Sequence, residues 1–267
     1  MSTAKKKPST FQNIFAGLAI LVLFVIAELF FHFFLGSEAN LEMKDGHPHP
    51  KNVFGTIYLG GAVVPFLITC LLIVITFSIE RFITITAASG KGSITNFVYK
   101  IKGLLAENDI QGAMEACDTQ KGSVGNVVKS VLETYKAMLT DNTKDKEQKV
   151  AAITKEQEDA TALEMPMLEK NLTIIATLAS VSTLIGLLGT VIGMIKAFSS
   201  MSGGGSAAAA QLAVGISEAL INTATGIGAS ALAIIAYNYF TSKIDELTYN
   251  IDEVSYSILQ NFNTQVK

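Results

Sequence analysis

Residues 172–198 read LTIIATLASVSTLIGLLGTVIGMIKAF, a run whose single charged residue, Lys196, stands near its end. A helix needs roughly 20 apolar residues to cross a bilayer core about 30 Å thick, so the run predicts a transmembrane helix. A threonine, Thr190, nevertheless stands between Gly189 and Gly193. Small residues at this spacing let helices approach closely, so the run predicts a packed helix with a hydroxyl at its contact face.

The whole chain has the composition of a membrane protein. Of its 267 residues, 49% are hydrophobic and 16% are charged, whereas soluble domains carry about 25% charged residues. Three further runs are long enough to cross a bilayer, at residues 14–35, 60–79 and 211–239. We therefore predict an all-α fold: a polytopic membrane protein with four transmembrane helices and long cytoplasmic helical extensions.

The basic residues are distributed unevenly between the segments that join these runs. Segment 80–171 holds Arg81 and eleven lysines, and the N-terminus holds Lys5, Lys6 and Lys7. Loop 36–59 has two lysines and loop 199–210 has none. Because cytoplasmic loops carry an excess of Lys and Arg, both termini and the long middle segment are predicted to be cytoplasmic. Lys196 is the exception, since it lies at the outer end of its helix.

These rules together predict the order of segments along the chain. The predicted segments are a cytoplasmic N-terminus (1–13), a first span (14–35), a periplasmic loop (36–59), a second span (60–79), a cytoplasmic helical domain (80–171), a third, pore-lining span (172–198), a periplasmic turn (199–210), a fourth, pore-lining span (211–239) and a cytoplasmic C-terminal helix (240–267). Apolar stripes at helical spacing predict helices in the middle segment and in the tail. The last of the middle helices is expected to run directly into the third span, with a bend at Pro166.

Small residues recur along the third and fourth spans. Gly189 and Gly193 have the small-xxx-small spacing that lets helix backbones approach, and Gly186 extends the row. Gly226 occupies a similar position in the fourth span. We predict that these four glycines pack the two helices together.

The same spans carry polar side chains that close packing does not require. The candidates for lining an ion path are Thr183 and Thr190 in the third span and Glu218, Asn222, Thr223 and Thr225 in the fourth. A threonine in a membrane helix can bond the carbonyl one turn earlier, so tight packing alone is the alternative interpretation. Glu218 differs, because an acid within a membrane is costly and usually faces a cavity or a partner.

The depths of these residues favour an ion path. The third span runs outward and the fourth runs inward, with centres near residues 185 and 225. At about 1.5 Å per residue, the depths of Thr190 and Thr223 then differ by roughly 4–5 Å, so their hydroxyls can share one layer. Glu218 lies about 7–8 Å further out. An oligomer would stack such hydroxyls as rings in an apolar lumen, where they hydrate or relay an ion.

The motifs that carry these residues resemble those of a known family. GLLGTVIGMIKAF (186–198) is similar to the third-helix signature of the MotA/TolQ/ExbB proton channel family, and GISEALINTATGIGASALAIIAYNYF (215–240) is similar to its last helix. IERFIT (79–84) and NDIQGAMEACDTQKGSVGNVV (108–128) resemble its cytoplasmic start. The resemblance covers roughly residues 60–245 and favours the ExbB/TolQ branch over flagellar stators.

The resemblance implies a homopentamer in the bacterial inner membrane. It implies that the pentamer encloses a dimer of a single-span, ExbD- or TolR-like partner whose membrane aspartate carries the proton. Thr190 and Thr223 match the two pore threonines of the family, and Glu218 matches the acid of its last helix. Proton flow would turn the inner dimer and pass the motion to a TonB-like protein that energises outer-membrane transport.

This chain also departs from the family pattern. Thr183 stands where the family usually has proline, Asn222 stands where it has alanine, and Thr225 adds a hydroxyl. Because these residues make the lumen more polar, a motor driven by sodium ions remains an alternative to one driven by protons. Tol-Pal-type and gliding-type motors remain alternatives to TonB-type transport. The first span (14–35) is additional to the three helices of the family.

Other residue patterns point to no enzymatic chemistry. We find no phosphate-binding loop, nucleophile elbow or acid pair, and the spacing of Cys70 and Cys117 suggests packed thiols. We therefore expect no catalytic residue, cofactor or metal, and no nucleic-acid partner. Glu28 and His32, one helical turn apart, are either a proton-relay pair or, by our preference, side chains that reach interfacial water. Glu80 and Arg81 are predicted to form an interfacial ion pair, which contributes little to stability if it is exposed.

Overall fold

The computed structural model describes residues 10–44, 47–201 and 206–266. The predicted basic cluster Lys5–Lys7 and the glycines of the 199–210 turn lie outside these residues. The described elements are α1 (Thr10–Leu29), a π-helical turn (Phe30–Leu35), β1 (Leu41–Lys44), β2 (His47–Pro50), α2 (Val53–Tyr58), a 3-10 turn (Gly61–Val63), α3 (Val64–Ser89), α4 (Ile94–Ala106), α5 (Ile110–Gln120), α6 (Gly122–Thr140), α7 (Lys146–Glu169), α8 (Leu172–Met201) and α9 (Ser206–Gln265).

Long apolar helices dominate the fold, and the predicted all-α polytopic class is confirmed. Four stretches of the described chain are long and apolar enough to cross a membrane: Gly17–Leu35, Gly61–Ala106, Leu172–Met201 and Ala209–Gln265. α9 is one helix from the fourth span through the predicted C-terminal tail. The membrane boundaries and the side on which each segment lies stay predictions.

The chain forms two compact units. The span unit comprises the described residues of 1–78 and 174–236, and the extension unit comprises those of 79–173 and 237–267. Within the span unit, loop 36–59 contains the antiparallel hairpin of β1 and β2, in which Leu41 is the partner of Pro50. The sequence predicts only a periplasmic loop there.

Helices α8 and α9 touch backbone to backbone along the predicted glycine row. A Cβ on Gly186 would lie 3.2 Å from the Cα of Gly226, and a Cβ on Gly226 would lie 2.7 Å from the Ser182 carbonyl oxygen. Further along, a Cβ on Gly193 would lie 2.8 Å from the Ala219 nitrogen. Only hydrogen atoms fit at these positions, so the glycines fix the distance between the two helices.

Substitution of Gly226 by alanine is therefore expected to destabilise the protein. Its Cβ would meet backbone that cannot rotate away, and overpacking of this kind costs about 1–3 kcal/mol. The measurement is the midpoint of thermal unfolding of the purified protein in detergent. Gly228→Ala, two residues along the same helix, is the matched control because no atom lies within 4 Å of its added Cβ. Equal midpoints for the two variants would contradict the close contact.

The extension unit has an apolar core built from the predicted stripes. Phe97, Ile101, Val131, Leu132 and Tyr135 are buried, as are residues of the α9 stripe: Ile244, Leu247, Ile251, Val254 and Ile258. The Tyr135 hydroxyl donates a 2.6 Å hydrogen bond to Oδ1 of Asn261, whose Nδ2 donates to the Leu105 carbonyl. These stripe residues thus lie on helices, as the spacing predicts, and they form the core of this unit.

The thiol of Cys117 belongs to this core. Desolvation by burial, with the neighbouring Asp118 carboxylate adding to it, raises the pKa of the Cys117 thiol to about 12. The thiol is protonated at neutral pH and packs as a small apolar side chain. This agrees with its interpretation as a packed thiol.

Helix α7 does not run directly into α8, contrary to expectation. It contains Pro166 but ends at Glu169, and α8 begins at Leu172 after Asn171, whose φ of 64° lies in the left-handed region. Arg81 explains the break. Its Nη1 donates hydrogen bonds to the carbonyl oxygens of Met167 and Leu168 at 2.9 and 3.0 Å. These carbonyls lie in the last turn of α7, where no N–H group of the helix is left to bond them.

Glu80 and Arg81 form the predicted ion pair, but Arg81 is buried. The arginine is 1% exposed, and its Nε donates a 2.6 Å hydrogen bond to Oε2 of Glu80. Asn171 Nδ2 donates to the same carboxylate at 3.2 Å. A guanidinium has several N–H donors in a fixed geometry, so it can bond a carboxylate and helix-terminal carbonyls at the same time. This explains why the side chain of Arg81 is buried.

Candidate ion-path site

Thr190 of α8 and Thr223 of α9 face each other across the contact between the two helices. Their Oγ1 atoms are hydrogen-bonded to each other. Thr190 Oγ1 also lies 3.2 Å from the Gly186 carbonyl oxygen and 3.3 Å from that of Ala219. Both side chains are half-buried. The structure thus brings the two threonines into the one layer that their depths predicted, and ion conduction through that layer stays a prediction.

Glycines on α8 make this contact possible. A Cβ on Gly189 would lie 2.5 Å from Cβ of Asn222, and a Cβ on Gly186 would lie 2.9 Å from the Asn222 carbonyl oxygen. Larger side chains at either position would push α9 away from α8. The separation of the helices, and therefore the contact between the two hydroxyls, depends on these glycines.

Glu218 is held by a salt bridge further out in the same helix pair. Nζ of Lys196 lies 2.6 Å from Oε1 of Glu218. A Cβ on Gly61, whose φ is +74°, would lie 2.5 Å from the same carboxylate oxygen. The carboxylate is therefore enclosed between the lysine and the backbone of Gly61.

Asn222 turns into the protein one helical turn from Glu218. Its side chain is fully buried, and its Nδ2 donates a 2.9 Å hydrogen bond to the Gly60 carbonyl. Its Oδ1 has no hydrogen-bond partner among the described residues. The contacts of Asn222 lie with Gly60 and Gly189 inside the span unit, and its part in an ion path stays a prediction.

The structure does not bring Thr183 or Thr225 into the pair formed by Thr190 and Thr223. Thr225 Oγ1 donates to the Ile221 carbonyl of its own helix at 2.8 Å, the usual bond of a threonine in a membrane helix. Thr183 is half-buried and lies seven residues before Thr190, roughly 10 Å along the helix axis. The predicted roles of both in an ion path stay untested.

Sequence reasoning missed Lys196 as the partner of Glu218. Lys196 lies six residues beyond Thr190 on α8, and Glu218 lies five residues before Thr223 on the antiparallel α9. Counting outward from the threonine layer therefore puts both charges at one height, a signal that was present in the sequence. A cavity of about 590 Å³ opens beside the pair, and Lys196, Ser200, Gln211, Ser217 and Glu218 are among its lining residues.

Comparison with known proteins finds a family model that matches the part of the chain containing Thr190 and Thr223. Residues 121–253 match the model of the MotA/TolQ/ExbB proton channel family. An ExbB-like biopolymer transport protein of Synechocystis is 42% identical over 87 residues, which cover 32% of this chain and 41% of that protein. The TolQ protein of the Tol-Pal system of Haemophilus influenzae is 43% identical over 84 residues, which cover 32% and 37%.

A third relative is matched over more of its length. The biopolymer transport protein ExbB of Helicobacter pylori is 39% identical over 94 residues, which cover 35% of this chain and 64% of that protein. The matched segments span about two fifths of the length of the first two relatives. Together with the four apolar stretches, these matches indicate a multi-pass membrane protein whose residues 121–253 match the MotA/TolQ/ExbB proton channel family.

Proposed function

We propose that this chain is the channel subunit of an ion-driven motor in the bacterial inner membrane. Five copies enclose a dimer of an ExbD- or TolR-like single-span protein, whose membrane aspartate carries the proton. The motor couples the proton motive force to TonB-dependent outer-membrane transport. The observation that carries this proposal is the hydroxyl pair of Thr190 and Thr223 between two apolar, glycine-packed helices.

The chemistry of the threonine layer suits a moving proton carrier. A hydroxyl both donates and accepts hydrogen bonds, so it can form a hydrogen bond with either the protonated or the ionised form of a carboxyl group. The layer holds no fixed charge, and the carrier is therefore not trapped there. One proton that crosses a potential of 100 mV releases about 2.3 kcal/mol, enough to drive a conformational step when several protons are coupled.

The orientation of the subunit follows from its basic residues. Arg81 and the eleven lysines of segment 80–171 support a cytoplasmic location for the extension unit, with both termini on the same side. The Thr190–Thr223 layer then lies within the bilayer, with Lys196 and Glu218 on its periplasmic side. Protons enter from that side and leave toward the cytoplasm.

A Tol-Pal-type role is the second candidate. The TolQ relative is 43% identical to this chain in the matched segment. The subunit and its ion path are the same in both proposals, and only the protein that receives the motion differs. Deletion of the gene separates them, since loss of energised nutrient uptake favours the TonB-type role and loss of envelope integrity favours the Tol-Pal-type role.

Reconstitution tests the proposed function directly. The chain is co-expressed with a single-span protein that bears a membrane aspartate, and the purified complex is placed in liposomes containing a pH-sensitive dye. A potassium diffusion potential is expected to drive proton uptake only when both proteins are present. Proton flux independent of the partner, or solute flux without it, would contradict the motor and favour a transporter.

A further inference from the structure

The salt bridge of Lys196 and Glu218 is unequally exposed. The side chain of Glu218 is 8% exposed, whereas that of Lys196 is 54% exposed, with 2.6 Å between Nζ and Oε1. Both residues line the cavity of about 590 Å³, and the ammonium group is the more exposed of the two charges. A cation that approaches Glu218 from that cavity is therefore repelled by the ammonium group that is bonded to the carboxylate.

We propose that Lys196 is an ion-selectivity residue: its ammonium group occupies the carboxylate of Glu218 and so prevents an alkali cation such as sodium from binding there. This inference rests on the proposed function, because it assigns Lys196 to the outer entrance of the same ion path. It also decides between the proton-driven and sodium-driven alternatives in favour of the proton.

The reason lies in what each ion requires. A sodium ion gives up hydration water only where oxygen atoms, above all a carboxylate, replace it. At this site Oε1 of Glu218 already accepts a bond from Lys196, and the ion pair has no net charge that would attract a second cation. A proton needs no coordination shell, since it moves along water and hydroxyl groups such as those of Thr190 and Thr223.

The surroundings of the carboxylate would suit a cation if the lysine were removed. Ser217 and Gln211 bring further oxygen atoms to the cavity wall, and the cavity has room for water ligands. The backbone of Gly61 closes the other side of Glu218. The ammonium group of Lys196 is thus the feature that separates this site from a cation site.

Sodium binding to the purified complex tests the inference. Lys196→Met removes the charge and keeps a side chain of similar length, while Lys196→Gln also keeps a donor for the carboxylate. Both are expected to bind radioactive sodium at least about tenfold more tightly than the unchanged complex, because a unit charge within 4 Å in a partly buried site changes affinity by more than this factor. Sodium, compared with choline at equal ionic strength, is also expected to raise energised transport in these variants.

Three controls identify the cause. Lys196→Arg keeps the cation and is expected to behave as the unchanged complex, and Lys196→Met combined with Glu218→Gln is expected to lose the gained sodium binding. Lys51→Met removes a lysine whose Nζ donates to the Glu38 carbonyl, and is expected to leave sodium affinity unchanged. The inference would be overturned if Lys196→Met and Lys196→Gln both bound sodium no more tightly than the complex that retains Lys196.

The two proposals fail in different ways. Failure of the proposed function appears as absent proton flux in the unchanged complex with its partner. Failure of the selectivity inference appears as normal proton flux in that complex, with no gain of sodium binding in the charge-removed variants.

Discussion

Replacement of Thr190 by valine is expected to reduce energised transport by roughly 10- to 100-fold, the factor that corresponds to one lost hydrogen bond to a charged group. Valine has nearly the same shape, so the glycine-packed contact of α8 with α9 is kept. What disappears is the hydroxyl that bonds Thr223 and that we propose to face the partner's aspartate. Thr223→Val is expected to have the same effect. The measurements are energised uptake in cells and proton flux in liposomes.

Thr69→Val is the matched control for these two variants. Thr69 is a buried threonine in a span, and its Oγ1 donates to the Pro65 carbonyl of its own helix at 2.7 Å. Its hydroxyl is satisfied locally and lies outside the proposed path, so transport should persist. Normal transport in Thr190→Val and Thr223→Val, with complex assembly intact in both, would remove these residues from the mechanism.

Replacement of Arg81 by methionine is expected to lower the stability of the protein by about 2–4 kcal/mol, because removal of one member of a buried pair leaves its partners unsatisfied. The carbonyls of Met167 and Leu168 lose this donor, and the carboxylate of Glu80 loses the guanidinium while it keeps the bond from Asn171. Because Glu80 is half-exposed, water can replace the hydrogen bonds that its carboxylate loses. Thermal unfolding of the purified protein measures the change.

Lys102→Met is the comparison for this prediction. Lys102 also forms a short salt bridge, with Nζ 2.5 Å from Oε1 of Glu253, but both side chains are 35% exposed. Pairs of this kind contribute about 0–1 kcal/mol. If Arg81→Met and Lys102→Met shift the unfolding midpoint equally, the buried arginine does not hold the end of α7.

The parts of the fold that depend on local periodicity could be predicted from the sequence. Ile101 and Ile251 occupy apolar stripes, and each is buried in the structure. Thr190 and Thr223 could be placed at one height because the rise of a helix is fixed and the centre of an apolar span is easily located. The glycine row followed from the small-xxx-small spacing of Gly189 and Gly193.

Contacts between residues distant in sequence could not be predicted in the same way. The two carbonyls that Arg81 satisfies are 86 and 87 residues away, and the sequence held no sign that α7 would end beside it. The distribution of positive charge among the loops leaves Lys196 an exception at a helix end, and only its height within the helix pair places it beside Glu218. Hairpin β1–β2 was missed since its second strand, HPHP, carries two prolines, which are rare in strands.

In the proposed motor, the hydroxyls of Thr190 and Thr223 face a shared axis that a partner protein occupies. The electron cryomicroscopy structure of the chain purified together with its single-span partner tests this arrangement. We expect a fivefold ring of this chain around two partner helices, with the Thr190–Thr223 layer at the height of the partner's aspartate. A ring whose threonines face the lipid, or single subunits with an empty centre, would contradict it.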